Sequence, residues 1–223
     1  MWVIPKLTPE FIERMEDVLD LYAKPYDPSE PVLCFDEKSK QLLEDTRTPI
    51  PAGPNHLRKN DYTYKRNGVR NIFLAVEPKG GYRQAQETAR RTRQYFAHEI
   101  DRLLKLPRYR ISKTIHLVCD NLNTHNEKSF TQTFTEKKAR RILSRIRFHY
   151  TPKHASWLDM AEIELSILER QCLKKRIPTQ EVLSQEIALW QQRRNRAHAT
   201  IHWKFTIQDA RKAFKDYSMT NSV

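Results

Sequence analysis

Residues 116–121 read HLVCDN, a short apolar run that ends on an acid. With Ile115 in front it has the length and content of a buried strand, IHLVC, delivering Asp120 to the strand's end. Residues 32–37 repeat the pattern as VLCFDE, ending on Asp36. In open α/β sheets, ligand-holding groups collect where strands end and loops begin. Side chains alternate along a strand, so Val32, Cys34 and Asp36 share one face, and His116, Val118 and Asp120 share one face. Set side by side, the two strands bring Asp36 and Asp120 together. Two unpaired carboxylates that close repel, and one takes up a proton. A divalent cation removes that penalty. Any one Asp at a strand end is more often a turn former or a helix cap. The weight lies in several acids, each placed where it can meet the others.

A third acid comes from TPKHASWLDMAEIELSIL, residues 151–168. Ser156 followed by Asp159 resembles a capping box that opens a helix. Leu158, Ala161, Leu165 and Leu168 form its apolar stripe. Glu162 lies beside that stripe and is expected to point inward. Glu164, about 200° further round at about 100° per residue, is expected to point away. An inward carboxylate is costly unless it is paired or metal-bound. That selects Glu162 as the functional acid; Asp159, one turn before it, could touch a metal or cap the helix, and capping is the simpler reading.

Outward from these segments, residues 8–23 read as an amphipathic helix. Thr8 serves as its N-cap, Pro9 sits in the first turn, and Phe11, Met15, Val18 and Leu21 recur at helical spacing. A Pro-rich linker, KPYDPSEP, leads into the first strand. Residues 45–67 read as a long loop or edge hairpin around Tyr62 and Tyr64, and NIFLAV at 71–76 as a strand. One long helix is expected over 84–106, another over 126–144, a strand over 146–150, and helices over 157–175, 179–197 and 206–217. Trp203 and Phe205 are expected to anchor the last of these. Strands, then alternating helix and strand, then a helical C-terminal third predict an α/β fold: a mixed sheet flanked by helices. The natural division is an N-terminal helix and linker over 1–30 and a main domain over 31–223.

At 223 residues and 39% hydrophobic content, a packed core is affordable and global disorder is excluded. Lys and Arg number 40 against 27 Asp and Glu, a net charge of +13. Such an excess favours a polyanionic partner, nucleic acid first and an anionic membrane surface second. The candidate backbone contacts are Arg90, Arg91 and Arg93, the run Lys137, Lys138, Arg140 and Arg141, and His125, which closely follows the second acid and could equally sit near bound metals, start a helix or make a hydrogen bond. For each run alone, a solvated helix face is the simpler reading. No stretch approaches the roughly 18 apolar residues of a membrane span, and Met1 to Leu7 shows no secretory pattern. Cys34, Cys119 and Cys172 are odd in number, far apart and without a CxxC pair. They read as buried thiols of a cytoplasmic protein and exclude a zinc site or a disulfide framework.

Taken together, FDE at 35–37, CDNLNTHN at 119–126 and YTPKHASWLDMAEIELSIL at 150–168 resemble bacterial insertion-sequence transposases of the mariner superfamily. YKRNGVRNIFLAVEP at 64–78 and HWKFTIQDAR at 202–211 extend the likeness over nearly the whole chain from about residue 30. The resemblance implies a ribonuclease-H-like DDE catalytic domain with Asp36, Asp120 and Glu162 as its metal-holding acids. It implies Mg²⁺, with Mn²⁺ as substitute, and two-metal cleavage of DNA at transposon ends. Strand transfer into target DNA would follow, at TA sites, with a homodimer assembled on the DNA. Two departures stand out. Asp159 occupies a position where the family commonly has Asn. Helix-turn-helix domains normally precede the core, whereas here 35 residues precede Asp36, which implies a DNA-binding segment from an upstream reading frame or a truncated copy. The alternative function is a non-catalytic DNA-binding relic or repressor of transposition. The intact set of acids argues against decay.

Overall fold

The structure, a computed structural model, describes residues 7–57, 59 and 61–214. The chain begins with α1 (Pro9–Ala23), β1 (Val32–Asp45), β2 (Tyr64–Glu77), β3 (Tyr82–Thr88) and α2 (Arg93–Lys105). It continues through β4 (Ile115–Cys119), α3 (Glu127–Thr131), α4 (Glu136–Leu143), β5 (Ile146–Tyr150) and α5 (Met160–Leu168). The described part closes with α6 (Gln180–Arg196) and α7 (Ile207–Ala213). Five strands form one sheet in the order β3-β2-β1-β4-β5. β1 runs antiparallel to β2, and β2 to β3, while β4 lies parallel to both β1 and β5. This is the mixed sheet that the element order predicts.

Alternation along the strands divides the interior in two. Cys34, Ile72, Leu74, Val76 and Val118 face α1, α5 and α6, whose Met15, Val18, Leu165, Leu168, Ile187 and Trp190 close over them. Leu33, Phe35, Phe73, Leu117 and Cys119 face α2, α3 and α4, with Phe96, Ile100, Phe130 and Ile142. Each large apolar side chain fully removed from water contributes about 1.5–3 kcal/mol. A sheet covered on both faces therefore has ample drive to hold its strand ends in place. α1 belongs to the first of these cores: Thr8 accepts from the Phe11 amide at 3.1 Å, and the Tyr22 hydroxyl donates to the Leu158 carbonyl at 2.8 Å. Trp203 and Phe205 pack against the same core, and Trp157 stacks on Trp203 with centroids 6.3 Å apart.

Four expectations need correction. Residues 82–88, expected in a long helix, form β3, and the helix starts only at Arg93. The inward positions of β3 are Arg83, Ala85 and Glu87, so the strand's buried face carries charges and shows no apolar alternation. The overlooked signal is the turn Pro78–Gly81, where Gly81 adopts φ +61° and joins Glu77 to Tyr82. A Cβ on Gly81 would stand 2.7 Å from the His198 carbonyl oxygen. β1 and β2 also run well beyond the apolar runs, as a ribbon paired out to Asp45 and Tyr64. Its outer half is mostly exposed, with Leu42 as its buried anchor, so hydrophobicity gives little notice of it. The helix expected over 126–144 is two, restarted at the Thr135 N-cap. Ser156–Leu158 is a 3₁₀ turn, and Asp159 is the residue that caps α5, accepting from the Ala161 amide at 2.8 Å. The part of the expected last helix beyond residue 214 lies outside the described residues.

Candidate metal and DNA site

β1 and β4 are neighbours, with Cys34 opposite Val118, so the register carries Asp36 and Asp120 to the same end of the sheet. Asp36 is still inside β1, on the face shared with Cys34. Its backbone is fixed by the ladder to β2, where it pairs with Leu74. One of its carboxylate oxygens accepts from the Glu37 amide at 2.7 Å. Asp120 follows β4 directly, and its side chain is about one third exposed, at 36%. α5 begins beneath this end, with Asp159 fully buried at its cap and Glu162 half-buried in its first turn.

The electrostatics tie these acids together. Burial pushes the Asp36 carboxyl up to about 7, and the charges of Glu37, Asp120 and Glu162 push the same way. Asp159 is held well above the ordinary carboxylate range, by burial first and then by Asp36, Glu162 and Asp120. Its Oδ2 is buried and has no hydrogen-bond partner. Asp36 and Asp159 thus feel the neighbouring acids as like charge on top of burial, the arrangement that a hard cation with oxygen ligands relieves. Among the described residues, no three His, Cys, Asp or Glu side chains converge closely enough to hold an ion as they stand. The acids share a field without forming a finished cage.

His125 takes the hydrogen-bonding role rather than an open phosphate contact. The ring is 1% exposed, wedged between Phe96, with centroids 4.7 Å apart, and Phe35, at 5.8 Å. Nδ1 lies 2.6 Å from Asp120 Oδ1, and Nε2 faces Glu37 Oε2 at 2.9 Å, an ion pair without hydrogen-bond alignment. These two carboxylates raise its pKa to about 9 against the opposing effect of burial. A ring so enclosed has no face left for a phosphate. Glu37, which the sequence reading left unremarked, is therefore part of the site.

The helix-face reading of α5 fails at Glu164. Glu164, expected to point away, is fully buried: both oxygens accept from Arg194, at 2.8 and 2.9 Å, and Arg83 Nε stands 3.0 Å away. β3 and α6 cover the side of α5 that was expected to face water. Burial alone would select Glu164; what distinguishes Glu162 is that its neighbours are acids and not guanidinium groups.

The basic candidates separate. Arg90 and Arg91 are exposed in the loop before α2, and Arg91 Nη1 reaches within 3.9 Å of Glu37 Oε1, at the edge of the carboxylates. Arg93 donates to Gln132 at 3.1 Å. Lys138 pairs with Asp101 at 2.8 Å and lies over the Phe134 ring. Arg140 pairs with Glu136 at 2.5 Å, while Lys137, Arg140 and Arg141 line a shallow surface depression of about 600 Å³. Among the described residues, no contact links this α4 cluster to the acids.

Residues 31–184 match the family described as DDE superfamily endonuclease, and the chain belongs to that family. The fold is ribonuclease-H-like. It is similar to a crystal structure of the Mos1 mariner paired end complex with Mn, at TM-score 0.55 and 16% identity, covering 89% of this chain and 60% of that one. It is similar also to the Mos1 strand transfer complex, at TM-score 0.54 and 14% identity, covering 89% and 61%, and to a pre-cleavage Mos1 transpososome, at 0.53 and 14%, covering 89% and 64%. The chain spans about three fifths of the length of these proteins. No curated protein matches the sequence. No helix among the described residues is long and apolar enough to cross a membrane.

Proposed function

We propose that the chain is the catalytic part of a DNA transposase, with Asp36, Asp120 and Glu162 holding divalent cations. One observation carries the reading. Asp36, Asp120 and Glu162, with Asp159 behind them, lie at one end of the sheet without a Lys or Arg partner among the described residues, and burial, with the neighbouring carboxylates adding to it, pushes Asp36 up to about 7. Among the described residues, the other buried acids, Glu77, Glu87, Glu99, Asp101 and Glu164, each pair with an Arg or a Lys. Oxygen donors alone suit Mg²⁺, with Mn²⁺ as substitute. Bound there, the ions would activate water and stabilise the leaving oxygen of a phosphodiester.

The chain's own part is to position. Asp36 on its ladder and Glu162 on a capped helix are fixed by backbone, and Arg90 and Arg91 stand ready to take a DNA backbone beside them. Hydrolysis at a transposon end would free a 3′ hydroxyl that then attacks target DNA, at TA sites by the family likeness. Two ends require two catalytic chains, hence a dimer on DNA, in the cytoplasm. End recognition would come from a helix-turn-helix segment of an upstream reading frame. The Mos1 neighbours, solved as paired-end and strand-transfer complexes, support this reading.

A second reading, a DNA-binding relic or repressor without catalysis, is favoured by the absence of a ready-made ion cage among the described residues. Labelled DNA carrying candidate ends, incubated with Mg²⁺ or Mn²⁺, separates the two. Metal-dependent cleavage and joined products that vanish in Asp120→Asn are expected. Binding without any product, even with the helix-turn-helix partner supplied, would select the relic.

A further inference from the structure

His125 links two carboxylates that the sheet would otherwise keep apart. By alternation, Asp36 and Asp120 belong to the face under α1 and α5, whereas Glu37 points to the opposite face, toward α2 and α3. The imidazole sits at the sheet's end and reaches both. Its Nδ1 is 2.6 Å from Asp120 Oδ1, its Nε2 2.9 Å from Glu37 Oε2, and the Glu37 side chain is 3% exposed. Phe35 and Phe96 fix the ring plane, and the His125 amide donates to the Leu122 carbonyl at 2.9 Å, closing the loop that carries both residues. The Leu122 amide approaches the same Asp120 oxygen at 3.4 Å. Asp120 Oδ1 is thus held by the chain itself.

We propose that His125, backed by Glu37, is a positioning residue. It anchors Asp120 through Oδ1 and leaves Oδ2 as the oxygen that meets a divalent cation. The inference rests on the metal site proposed above. Nδ1 is within hydrogen-bond distance of Asp120 Oδ1, and Nε2 stands against Glu37 Oε2 as an ion-pair contact. Glu37 is then more than a core acid: it backs the ring on the side away from Asp120. Such outer partners orient a ligand carboxylate, and losing one typically costs about 10–100-fold in metal affinity.

The test is equilibrium Mn²⁺ binding, read from the spin-resonance signal of the free ion. It compares the wild-type chain with His125→Gln and Glu37→Gln, with circular dichroism melts beside it. Both variants are expected to weaken Mn²⁺ binding by about 10–100-fold at a temperature where both remain folded. Gln at 125 keeps a side chain that can donate toward Asp120, so His125→Ala should weaken it further. If wild type binds Mn²⁺ and both Gln variants bind equally well, with only their melting temperatures lowered, His125 merely pins the loop. That result overturns the positioning role and leaves the metal site standing. A wild-type chain that binds no Mn²⁺ overturns the site and this inference together. Should His125→Gln fail to fold, Glu37→Gln decides, since it leaves the ring and its packing in place.

Discussion

Glu162 and Glu164 sit two residues apart on α5 and have opposite surroundings. Glu164 is fully buried and held by Arg194 through two hydrogen bonds, with Arg83 beside it. Glu162 is half-buried and shares its end of the sheet with Asp36, Asp120 and Asp159. One helix therefore ties a structural ion cluster to an electrostatically frustrated one. A carboxylate whose charge is met by guanidinium groups stabilises the fold. A carboxylate surrounded by other carboxylates costs stability until something positive arrives. Frustration of the second kind, kept in place by a well-satisfied neighbour, is the mark of a functional site.

The comparison is broken most severely by changing the frustrated acids. Asp36→Asn, Asp120→Asn or Glu162→Gln should each lower metal-dependent DNA cleavage by about 10²–10³-fold or more, with unchanged circular dichroism. Cleavage by Glu162→Gln at the wild-type rate would remove Glu162 from the site. Glu164→Gln should do the reverse. Leaving Arg83 and Arg194 without their anion costs about 3–5 kcal/mol. At roughly 2–4 °C per kcal/mol, that lowers the melting temperature by about 6–20 °C. Cleavage well below the new midpoint should persist.

Metal sharpens the contrast. A hundredfold excess of Mn²⁺ over its dissociation constant stabilises by about 2.7 kcal/mol, or roughly 5–10 °C in melting temperature for a chain of this size. The shift is expected in wild type and Glu164→Gln and not in Glu162→Gln.

The smallest effect is on pH. Asp36 is raised from an ordinary value of 3.8 to about 7, so its folded form prefers the proton. The stability this gives is fully present below about pH 4 and is lost as pH rises through 7. His125, raised from 6.5 to about 9, gives stability that is present below about 6.5 and lost as pH rises through 9. Metal-free protein should therefore lose stability from pH 5 to 9, and Asp36→Asn should flatten the acidic part of that curve in chemical denaturation.

The strands that carry the first two acids were legible because each is a dense apolar run ending in Asp, and the pairing of β1 with β4 follows from their shared need for burial. β3 was not legible, because Arg83 and Glu87 occupy its inward positions and their partners lie about a hundred residues on, or across the hairpin at Arg70. The same long-range pairing misled the reading of Glu164. Periodicity reports which face is apolar; it is silent on a charged face buried by a distant helix. Asp36, Asp120 and Glu162 are proposed from position and resemblance; Glu37 went unremarked, and of the roles open to His125 the structure shows the hydrogen bond, to Asp120. Their link depends on a loop folding back across the sheet's end, for which the local sequence has no signature.

The most direct test of the frustrated-acid site is calorimetric titration of Mn²⁺ into wild type, Glu162→Gln and Glu164→Gln at pH 7.5, below all three melting transitions. Saturable binding in wild type and Glu164→Gln, with loss or severe weakening in Glu162→Gln, is the expected result. Equal binding in Glu162→Gln, or binding abolished only in Glu164→Gln, would contradict the assignment of the two acids and move the site elsewhere.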